Sequence, residues 1–426
     1  MLFRLDLEGC LAGAVGERGL DDATFARYLD ESRNGLARLA LWRENGTLPI
    51  LNLTNEVDDL GALRPVADKL KSYKTLVVLG AGGSSLGGQT LLALGQRSGT
   101  TVRFVDNVDP HSFSQLLGSL DASKTGFLAI SKSGRSAGTL MSLLLVLDWL
   151  RRQRSEAAFA SQVVIVSEPG DTPLNRLAER FSMTHVLHDA KIGGRFAVLS
   201  AVGCLPAMVA DLDVEAVRAG ARSVVEATLN ARDAEHAQAA RGAAAMIGLE
   251  RERHMQVSVV MPYLDRLARF ALWYKQLWAE SVGKDGKGMV PLRAMGTVDQ
   301  HSQFQLYLDG PNNKLFTLIV VNCADQGARV PDDLAEDSEL GYLRGKTIGD
   351  LMEAEHDAAQ AALVEKGRPV RIIRLARLDE EVMGGLLMHC MLETILAALL
   401  LGVNPFDQPA VERLRELSRV QLAGMD

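Results

Sequence analysis

A carboxylate and an imidazole lie on either side of a glycine-rich turn in this chain. Glu280 ends an apolar helical pattern, and His301 follows the turn within Asp-Gln-His-Ser. A carboxylate among bulky apolar side chains can act as a general base, and histidine exchanges protons near neutrality. The pattern therefore predicts proton-transfer chemistry. Taken singly, a solvated helix-end glutamate and a structural histidine are the alternative interpretations.

Two upstream segments are rich in glycine and hydroxyl residues, and each directly follows a predicted strand. Residues 80–84 read Gly-Ala-Gly-Gly-Ser, and residues 131–136 read Ser-Lys-Ser-Gly-Arg-Ser. Glycines let backbone N–H groups approach an anion, and hydroxyls beside a lysine suit a phosphate monoester. The first segment matches neither the dinucleotide fingerprint nor a P-loop, so a tight structural turn is its alternative. A hydroxyl-rich helix cap is the alternative for the second.

Arg195 follows Gly193 and Gly194 at the start of a predicted helix. A glycine pair lets a loop hold a guanidinium in an unusual direction, and arginine stays charged and donates in a fork. Such a group suits a developing oxyanion, although a surface ion pair would use the same residue. Together, the base, the second proton-transfer group, the cation and the two anion-binding loops predict proton transfer on a phosphorylated sugar.

Composition narrows the class of protein. The chain has 426 residues, 47% of them hydrophobic, and a formal net charge of −7 with no long basic run. Nucleic acid is therefore not expected as a partner, because binding to its backbone needs clustered positive charge. The four cysteines have no CxxC spacing, which argues against a zinc site or a disulfide scaffold and suits a reducing cytoplasm.

Neither a signal peptide nor a membrane span is expected. The N-terminal residues carry charges where a signal peptide needs an apolar core. The longest apolar run, Gly384–Val403, is interrupted by His389 and Glu393. A span needs about 20 residues nearly free of charge, so this run is interpreted as a buried helix.

Short aliphatic runs alternate with helical patterns along most of the chain, which predicts parallel sheets covered by helices. We expect an α/β fold of two doubly wound parallel-sheet domains with a helical C-terminal arm. The predicted boundaries are residues 1–210 for an N-terminal helical region and the first sheet domain, 211–254 for a helical bridge, 255–403 for the second sheet domain and 404–426 for the arm. Both hydroxyl-rich segments then fall at the carboxyl ends of strands, where such folds bind ligands.

Together the segments resemble the phosphoglucose isomerase family, whose fold is a pair of sugar-isomerase (SIS) domains. The similar motifs are GAGGSSLG at 80–87, SKSG at 131–134, GGRFAVLSAVG at 193–203, QLWAESVGKDGKG at 276–288, GTVDQHSQFQLYLDGP at 296–311 and NPFDQPAVE at 404–412. Each motif alone could arise by chance, but six in family order scarcely could. The resemblance covers most of the chain.

The resemblance implies interconversion of glucose 6-phosphate and fructose 6-phosphate without a metal or an organic cofactor. Glu280 would carry a proton between C2 and C1 through a cis-enediol. Arg195 would stabilise the negative charge on that intermediate, and His301 would assist ring opening. The family is dimeric and its histidine comes from the neighbouring subunit, so the resemblance also implies a homodimer that shares His301.

The resemblance also implies a set of residues that bind the substrate. The phosphate would be held by Ser131, Lys132, Ser133 and Ser136. The sugar would be lined by Ser84 and Gln408, and Gln276, one helical turn before Glu280, would face the same pocket.

Two positions depart from the family pattern. Arg415 stands where the family has a lysine that helps ring opening; it keeps the charge but does not readily give up a proton. We therefore expect Arg415 to orient the substrate and His301 to carry the acid–base task. Arg135 begins a stretch, residues 135–139, in which the family usually has threonines and a glutamate. This departure leaves the affinity for the substrate and the preferred sugar undetermined by the sequence. The alternatives are an isomerase for another phosphorylated aldose such as mannose 6-phosphate, an isomerase with dual specificity, and a regulator that binds sugar phosphates without catalysis.

Overall fold

Short runs of aliphatic residues form the strands of this chain, which a computed structural model describes over residues 1–425. Within that range the strands are β1 (Phe3–Asp6), β2 (Thr75–Leu79), β3 (Thr101–Val105), β4 (Thr125–Ile130), β5 (Val163–Ser167), β6 (Thr184–Leu187), β7 (Val257–Pro262), β8 (Val290–Arg293), β9 (Lys314–Val321) and β10 (Val370–Leu375).

Helices connect these strands and close the chain. The α-helices of the described range are α1 (Ala12–Val15), α2 (Asp22–Glu44), α3 (Ile50–Leu53), α4 (Asp58–Lys71), α5 (Leu86–Leu92), α6 (Pro110–Ser119), α7 (Ala137–Arg151), α8 (Glu156–Gln162), α9 (Pro173–Arg180), α10 (Ala201–Val209), α11 (Val214–Leu229), α12 (Gln238–Arg253), α13 (Ala268–Val282), α14 (Gly296–Ser302), α15 (Phe304–Asp309), α16 (Ile348–Glu365), α17 (Glu380–Leu401) and α18 (Pro409–Ala423). Short 3-10 helices lie at Glu8–Cys10, Gly16–Arg18, Gly82–Ser84, Gly194–Leu199, Ala234–His236, Asp265–Leu267, Asp332–Ala335 and Gly341–Leu343.

The strands form two sheets with the same winding pattern. The first has the order β3-β2-β4-β5-β6, and all its neighbours are parallel. The second has the order β8-β7-β9-β10-β1, and it is parallel except for β1, which pairs antiparallel with β10. In each sheet the chain reverses its direction of winding once, between β2 and β4 and between β7 and β9. Ligands of such folds bind in the crevice at that reversal, beside the carboxyl ends of the strands.

Both faces of each sheet are covered. Leu76 and Val78 of β2 pack into one hydrophobic core, whereas Val77 and Leu79 pack into another on the opposite face. Strand β9 divides its side chains between two cores in the same way. The predicted fold class, two doubly wound sheets with a helical C-terminal arm, is therefore confirmed. Strand β1 was not predicted, and it joins the second sheet although its residues precede the first. The domain boundaries stay a prediction; α11 and α12 fill most of the proposed bridge at residues 211–254.

Helix α17 is a core helix of the protein. It is long and apolar enough to cross a membrane, and 89% of its most apolar stretch is buried inside the protein. It packs against α11, α12 and α13. This burial agrees with the interpretation of residues 384–403 as a buried helix.

A buried ion pair joins α17 to the second sheet. The Arg371 guanidinium on β10 donates two hydrogen bonds to the Glu393 carboxylate, at 2.7 and 2.8 Å, and both side chains are fully buried. Burial alone would raise the pKa of Glu393, but the Arg371 charge lowers it to about 2. A bidentate pair away from water is strongly held once both partners are present.

We expect Glu393→Gln to lower the free energy of unfolding by about 3–5 kcal/mol, because it leaves the Arg371 charge buried without its counter-ion. The carboxyl pKa is depressed in the folded state, so the pair stabilises the protein above the ordinary glutamate pKa and ceases to do so as the pH falls toward 2. Urea unfolding at neutral pH measures the loss. The control is Glu381→Gln. Glu381 lies on the same helix as Glu393, and this change breaks only an exposed pair with Arg377. Equal effects of the two changes would contradict this account.

Candidate active site

The loop after β2 approaches the segment that carries Arg195. Gly82 has a left-handed φ of +58°, which glycine adopts without strain. A Cβ on Gly83 would lie 2.3 Å from the carbonyl carbon of Gly194, so only a residue without a side chain fits there. The backbones of Gly83 and Gly194 therefore lie in close contact. This contact places the start of the Gly194–Leu199 helix, which carries Arg195, at the carboxyl end of the first sheet.

Arg195 is buried, and every N–H group of its guanidinium has a hydrogen-bond acceptor. Its Nε donates to Ser281 Oγ at 2.9 Å, and its Nη1 donates to Glu280 Oε2 at 3.2 Å and to Gln408 Oε1 at 2.8 Å. Its Nη2 donates to the carbonyl oxygens of Pro405 and Asp407, at 2.5 and 3.1 Å. Burial lowers the pKa of Arg195 and the Glu280 carboxylate opposes that shift. The site therefore contains a fixed cation beside a carboxylate.

Glu280 lies near the carboxyl end of α13, with 28% of its side chain exposed. Gln276, one turn earlier, donates from Nε2 to Glu280 Oε1 at 2.9 Å. The same amide nitrogen would lie 3.0 Å from a Cβ on Gly82, so the loop after β2 lies against Gln276. Both carboxylate oxygens are therefore oriented by neighbours, while part of the group still faces solvent. This is the arrangement that a positioned general base needs.

The hydroxyl-rich loop at residues 131–136 follows β4, beside the loop after β2. A Cβ on Gly80 would lie 3.0 Å from the carbonyl oxygen of Ile130, which places the two loops side by side. Within the hydroxyl-rich loop, Ser131 Oγ donates to Ser136 Oγ at 3.1 Å, and Ser133 Oγ accepts from the backbone N–H of Arg135 at 3.3 Å. The first-sheet crevice thus has hydroxyl groups on one side.

A small cavity connects the hydroxyl-rich loop with the Arg195 segment. Lys132 lines this cavity of about 200 Å³ together with Gly193 and Phe196, which flank Arg195, and with Phe406. Lys132 and the Arg195 segment therefore border the same space. Ser84 lies partly exposed at the end of the Gly82–Ser84 turn, in the loop that contacts the Arg195 segment.

Two predicted site residues lie outside this cluster in the single chain. His301 is exposed on α14, and in the described residues no hydrogen bond or ion pair joins it to Glu280 or Arg195. Arg415 is exposed on α18, where it pairs with Glu412 at 2.5 Å. The structure of one chain thus joins Arg195, Glu280, Gln276 and Gln408 by hydrogen bonds and leaves His301 and Arg415 apart from them.

The structure also adds residues that the sequence analysis did not assign. Ser281 bonds Arg195 directly, and the main chain of residues 405–407 supplies two further acceptors. Lys284 pairs with Asp407 at 3.1 Å. Ser281 and Lys284 lie inside the motif at 276–288 and Asp407 lies inside the motif at 404–412, so the only available signal was their place in those motifs.

Comparisons with known proteins agree with this geometry. The phosphoglucose isomerase family model matches residues 55–423. A glucose-6-phosphate isomerase of Rubrobacter xylanophilus is 37% identical over 383 residues, which cover 87% of this chain and 88% of that protein. A glucose-6-phosphate isomerase of Thermus thermophilus is 34% identical over 403 residues, covering 93% of this chain and 95% of that protein.

Solved structures show the same similarity. A hypothetical protein from Thermus thermophilus has 33% identity and a TM-score of 0.88, with 99% of this chain and 100% of that chain covered. A glucose-6-phosphate isomerase from Chlamydia trachomatis, at 22% identity, shares the fold with a TM-score of 0.72 over 91% of this chain and 75% of that one. On the family match and the identities above, this chain belongs to the phosphoglucose isomerase family.

Proposed function

We propose that this protein interconverts glucose 6-phosphate and fructose 6-phosphate, the reaction of the family to which it belongs. The observation that carries the proposal is the Arg195–Glu280 contact at 3.2 Å, held at the crevice of the first sheet beside the hydroxyl-rich loop. A carboxylate can take a proton from carbon only if the resulting charge is stabilised, and the neighbouring guanidinium does this. The substrate is a sugar phosphate, and catalysis uses side chains alone.

The phosphate binds at the loop of residues 131–136. Its donors are the hydroxyl groups and Lys132, together with backbone amides at the start of α7. A phosphate monoester has several acceptor oxygens and a charge near −2, so a set of hydroxyls with one cation matches it. Ser84 and Gln408 contact the sugar hydroxyls between the phosphate and the reacting carbons.

Ring opening precedes proton transfer. His301 moves a proton from the C1 hydroxyl to the ring oxygen, which breaks the C1–O5 bond and forms the carbonyl at C1. Arg415 keeps the positive charge of the family's lysine but does not give up a proton, so it orients the substrate electrostatically. Histidine alone therefore carries the acid–base work of this step.

Glu280 carries out the isomerisation. Its carboxylate takes the proton from C2, the C–H electrons form the C1–C2 double bond, and the C1 oxygen takes a proton from water to give the cis-enediol. Glu280 then returns its proton to C1 while the C2 hydroxyl gives its proton to water and becomes the ketone. No electron leaves the sugar, so the reaction needs no redox partner. Arg195 stabilises the negative charge that develops on the enediol oxygens.

A coupled assay tests this function. Fructose 6-phosphate is supplied with glucose-6-phosphate dehydrogenase, and NADPH formation is followed. The proposal predicts NADPH formation well above that of a Glu280→Gln control. Equal rates for the two proteins would exclude the isomerase function and favour a regulator that only binds sugar phosphates. Mannose 6-phosphate, offered in parallel with detection of the fructose 6-phosphate formed, tells single from dual specificity.

The active unit is a homodimer in which His301 of each chain completes the site of the other. Three observations support this: His301 is exposed, no hydrogen bond or ion pair joins it to Glu280 of its own chain among the described residues, and Val298 and Leu306 near it expose apolar side chains. Exposed aliphatic groups around a needed catalytic residue fit a surface that a second copy covers.

Mixing two inactive variants tests the shared site. Glu280→Gln and His301→Asn chains are each expected to be inactive. When they are co-expressed, half of the dimers are mixed, and each mixed dimer has one site with both groups intact. We therefore expect about a quarter of normal activity. Activity no higher than that of either variant alone would mean that both groups come from one chain.

The protein acts in the cytoplasm. Its four cysteines are buried and unpaired, which suits a reducing compartment. Its substrate is a phosphorylated, membrane-impermeant sugar.

A further inference from the structure

The segment between α17 and α18, residues 404–408, forms one wall of the Arg195 site. It supplies the Gln408 side chain and the carbonyl oxygens of Pro405 and Asp407 as acceptors for the guanidinium. Two of the three guanidinium nitrogens thus depend on this segment for acceptors. Since the segment has no regular secondary structure, side-chain contacts must hold it in place.

Aromatic contacts hold one residue of the segment. Phe406 packs edge-to-face against Trp42 with ring centroids 5.5 Å apart and lies 5.7 Å from the ring of Phe196. Residues 404 and 407 are exposed and have no such contact. These two residues bond each other, from Asn404 Nδ2 to Asp407 Oδ2 at 3.0 Å, so the polar side of the segment is linked internally and needs a tie to the rest of the protein.

Lys284, four residues after Glu280, provides that anchor. Its Nζ donates to the carbonyl oxygen of Ser281 at 3.1 Å, donates to the carbonyl oxygen of Asn404, and pairs with the Asp407 carboxylate at 3.1 Å. Only 11% of the side chain is exposed. Two carbonyl oxygens and one carboxylate thus surround the ammonium group, which directs it toward the segment. Lys284 consequently positions other groups and does not itself react.

Lys287 lies in the same glycine-rich turn as Lys284 but bonds a different part of the chain. Its Nζ donates to the carbonyl oxygen of Leu401 at 3.0 Å, at the end of α17 and before residue 404. It thus ties the turn to a helix that is already packed in the core, and it does not reach the segment that holds Arg195.

We propose that Lys284 is a positioning residue for catalysis: it fixes residues 404–408 to the end of α13, and thereby fixes Arg195 beside Glu280. This rests on the proposed isomerase function. Loss of the anchor frees the carbonyl oxygens that orient Arg195, and the guanidinium then spends less time where the enediol charge develops. The phosphate loop is untouched, so we expect substrate binding to change less than turnover, although Gln408 of the freed segment also lines the sugar.

Kinetics of Lys284→Met against Lys287→Met test the proposal. For Lys284→Met we expect kcat to fall by about 10–10²-fold, the usual cost of misplacing a catalytic group by an ångström, with KM changed less than about threefold. Lys287→Met should leave kcat within about twofold, because its bond lies outside the segment. Adding Asp407→Ala to Lys284→Met should cost less than the sum of the two single changes, since each alone already breaks the Lys284–Asp407 pair.

Amide hydrogen exchange gives a measurement that does not depend on activity. Lys284→Met should speed exchange in peptides covering residues 404–408, whereas Lys287→Met should not. Equal kcat for the two lysine variants, or unchanged exchange in that segment, would overturn the proposal. If the unchanged protein forms no NADPH in the coupled assay, the proposed isomerase function is wrong. The exchange data still decide, independently of that result, whether Lys284 holds the segment.

Discussion

Replacing Glu280 by glutamine is expected to lower kcat by at least about 10²–10⁴-fold, the usual contribution of a positioned base, with little change in KM. The amide has the shape of the carboxyl group but cannot take a proton from carbon. The fold should tolerate it, because Arg195 can donate to its oxygen. The unpartnered Oε1 of Gln276 can accept from its nitrogen if that side chain turns. Steady-state kinetics in the coupled assay measure both constants.

Glu250→Gln is the matched control for this prediction. Glu250 is also a partly buried carboxylate, and its Oε1 accepts from the backbone N–H of Gly288 at 2.8 Å, close to the same glycine-rich turn. It contacts neither Arg195 nor Gln276 in the described structure. We expect its kcat to stay near normal. An equal fall in kcat for both variants would mean that Glu280 supports the fold and not the chemistry.

Replacing Arg195 by lysine should lower kcat by about 10²–10³-fold, the usual cost of losing one oxyanion-stabilising donor. Lysine keeps the charge, but a single ammonium cannot reach Ser281, Glu280 and the carbonyl oxygens of the 404–408 segment together. The charge would then lie away from the developing enediolate. The measurement is kcat at saturating substrate, with the unfolding midpoint recorded for the same preparation.

Arg218→Lys controls for the general cost of altering a buried arginine. Arg218 donates to the carbonyl oxygen of Leu199, four residues after Arg195, at 3.0 Å and pairs with Asp59 at 2.5 and 2.6 Å. None of its hydrogen bonds in the described residues goes to Glu280 or to residues 404–408. We expect this variant to lose stability and to keep its kcat. If Arg195→Lys loses only stability, and its kcat matches that of Arg218→Lys, the role assigned to Arg195 is wrong.

The central strands and long helices were predictable because their patterns are local. Strands β4 and β9 are almost entirely buried runs, and α16 spans Ile348–Glu365, where the residues of the sequence favour a helix. The edge strands β1, β6 and β8 were not predicted. Each has four residues, β8 contains Pro291, and β1 pairs with a strand some 370 positions away, as in Phe3 with Leu375. A short edge strand has too few alternations to be recognised before its partner is known.

The candidate site also has a part that was predictable from the sequence and a part that was not. The loops at 80–84 and 131–136 were predictable as loops at the carboxyl ends of strands, since glycine and hydroxyl residues directly follow the aliphatic runs of β2 and β4. The contacts of Arg195 were not, because they bring together residues 195, 281 and 405–408 from separate parts of the chain. The helical pattern from Leu86 to Gln96 predicts a longer helix than the structure has, because α5 ends at Leu92. Its continuation passes through Gly95, whose φ of +125° is incompatible with a right-handed helix.

The central claim, that the Glu280 carboxyl carries a proton between the two carbons, is tested most directly by isomerising fructose 6-phosphate in D₂O. The Glu280 side chain is 28% exposed, so the proton it has taken from carbon exchanges with solvent while the enediol is bound. Deuterium should therefore appear at C2 of glucose 6-phosphate and at C1 of recovered fructose 6-phosphate. The Glu280→Gln protein should add none above the level found in buffer. Full turnover with no deuterium at C2, or labelling by Glu280→Gln as fast as by the unchanged protein, would contradict the account.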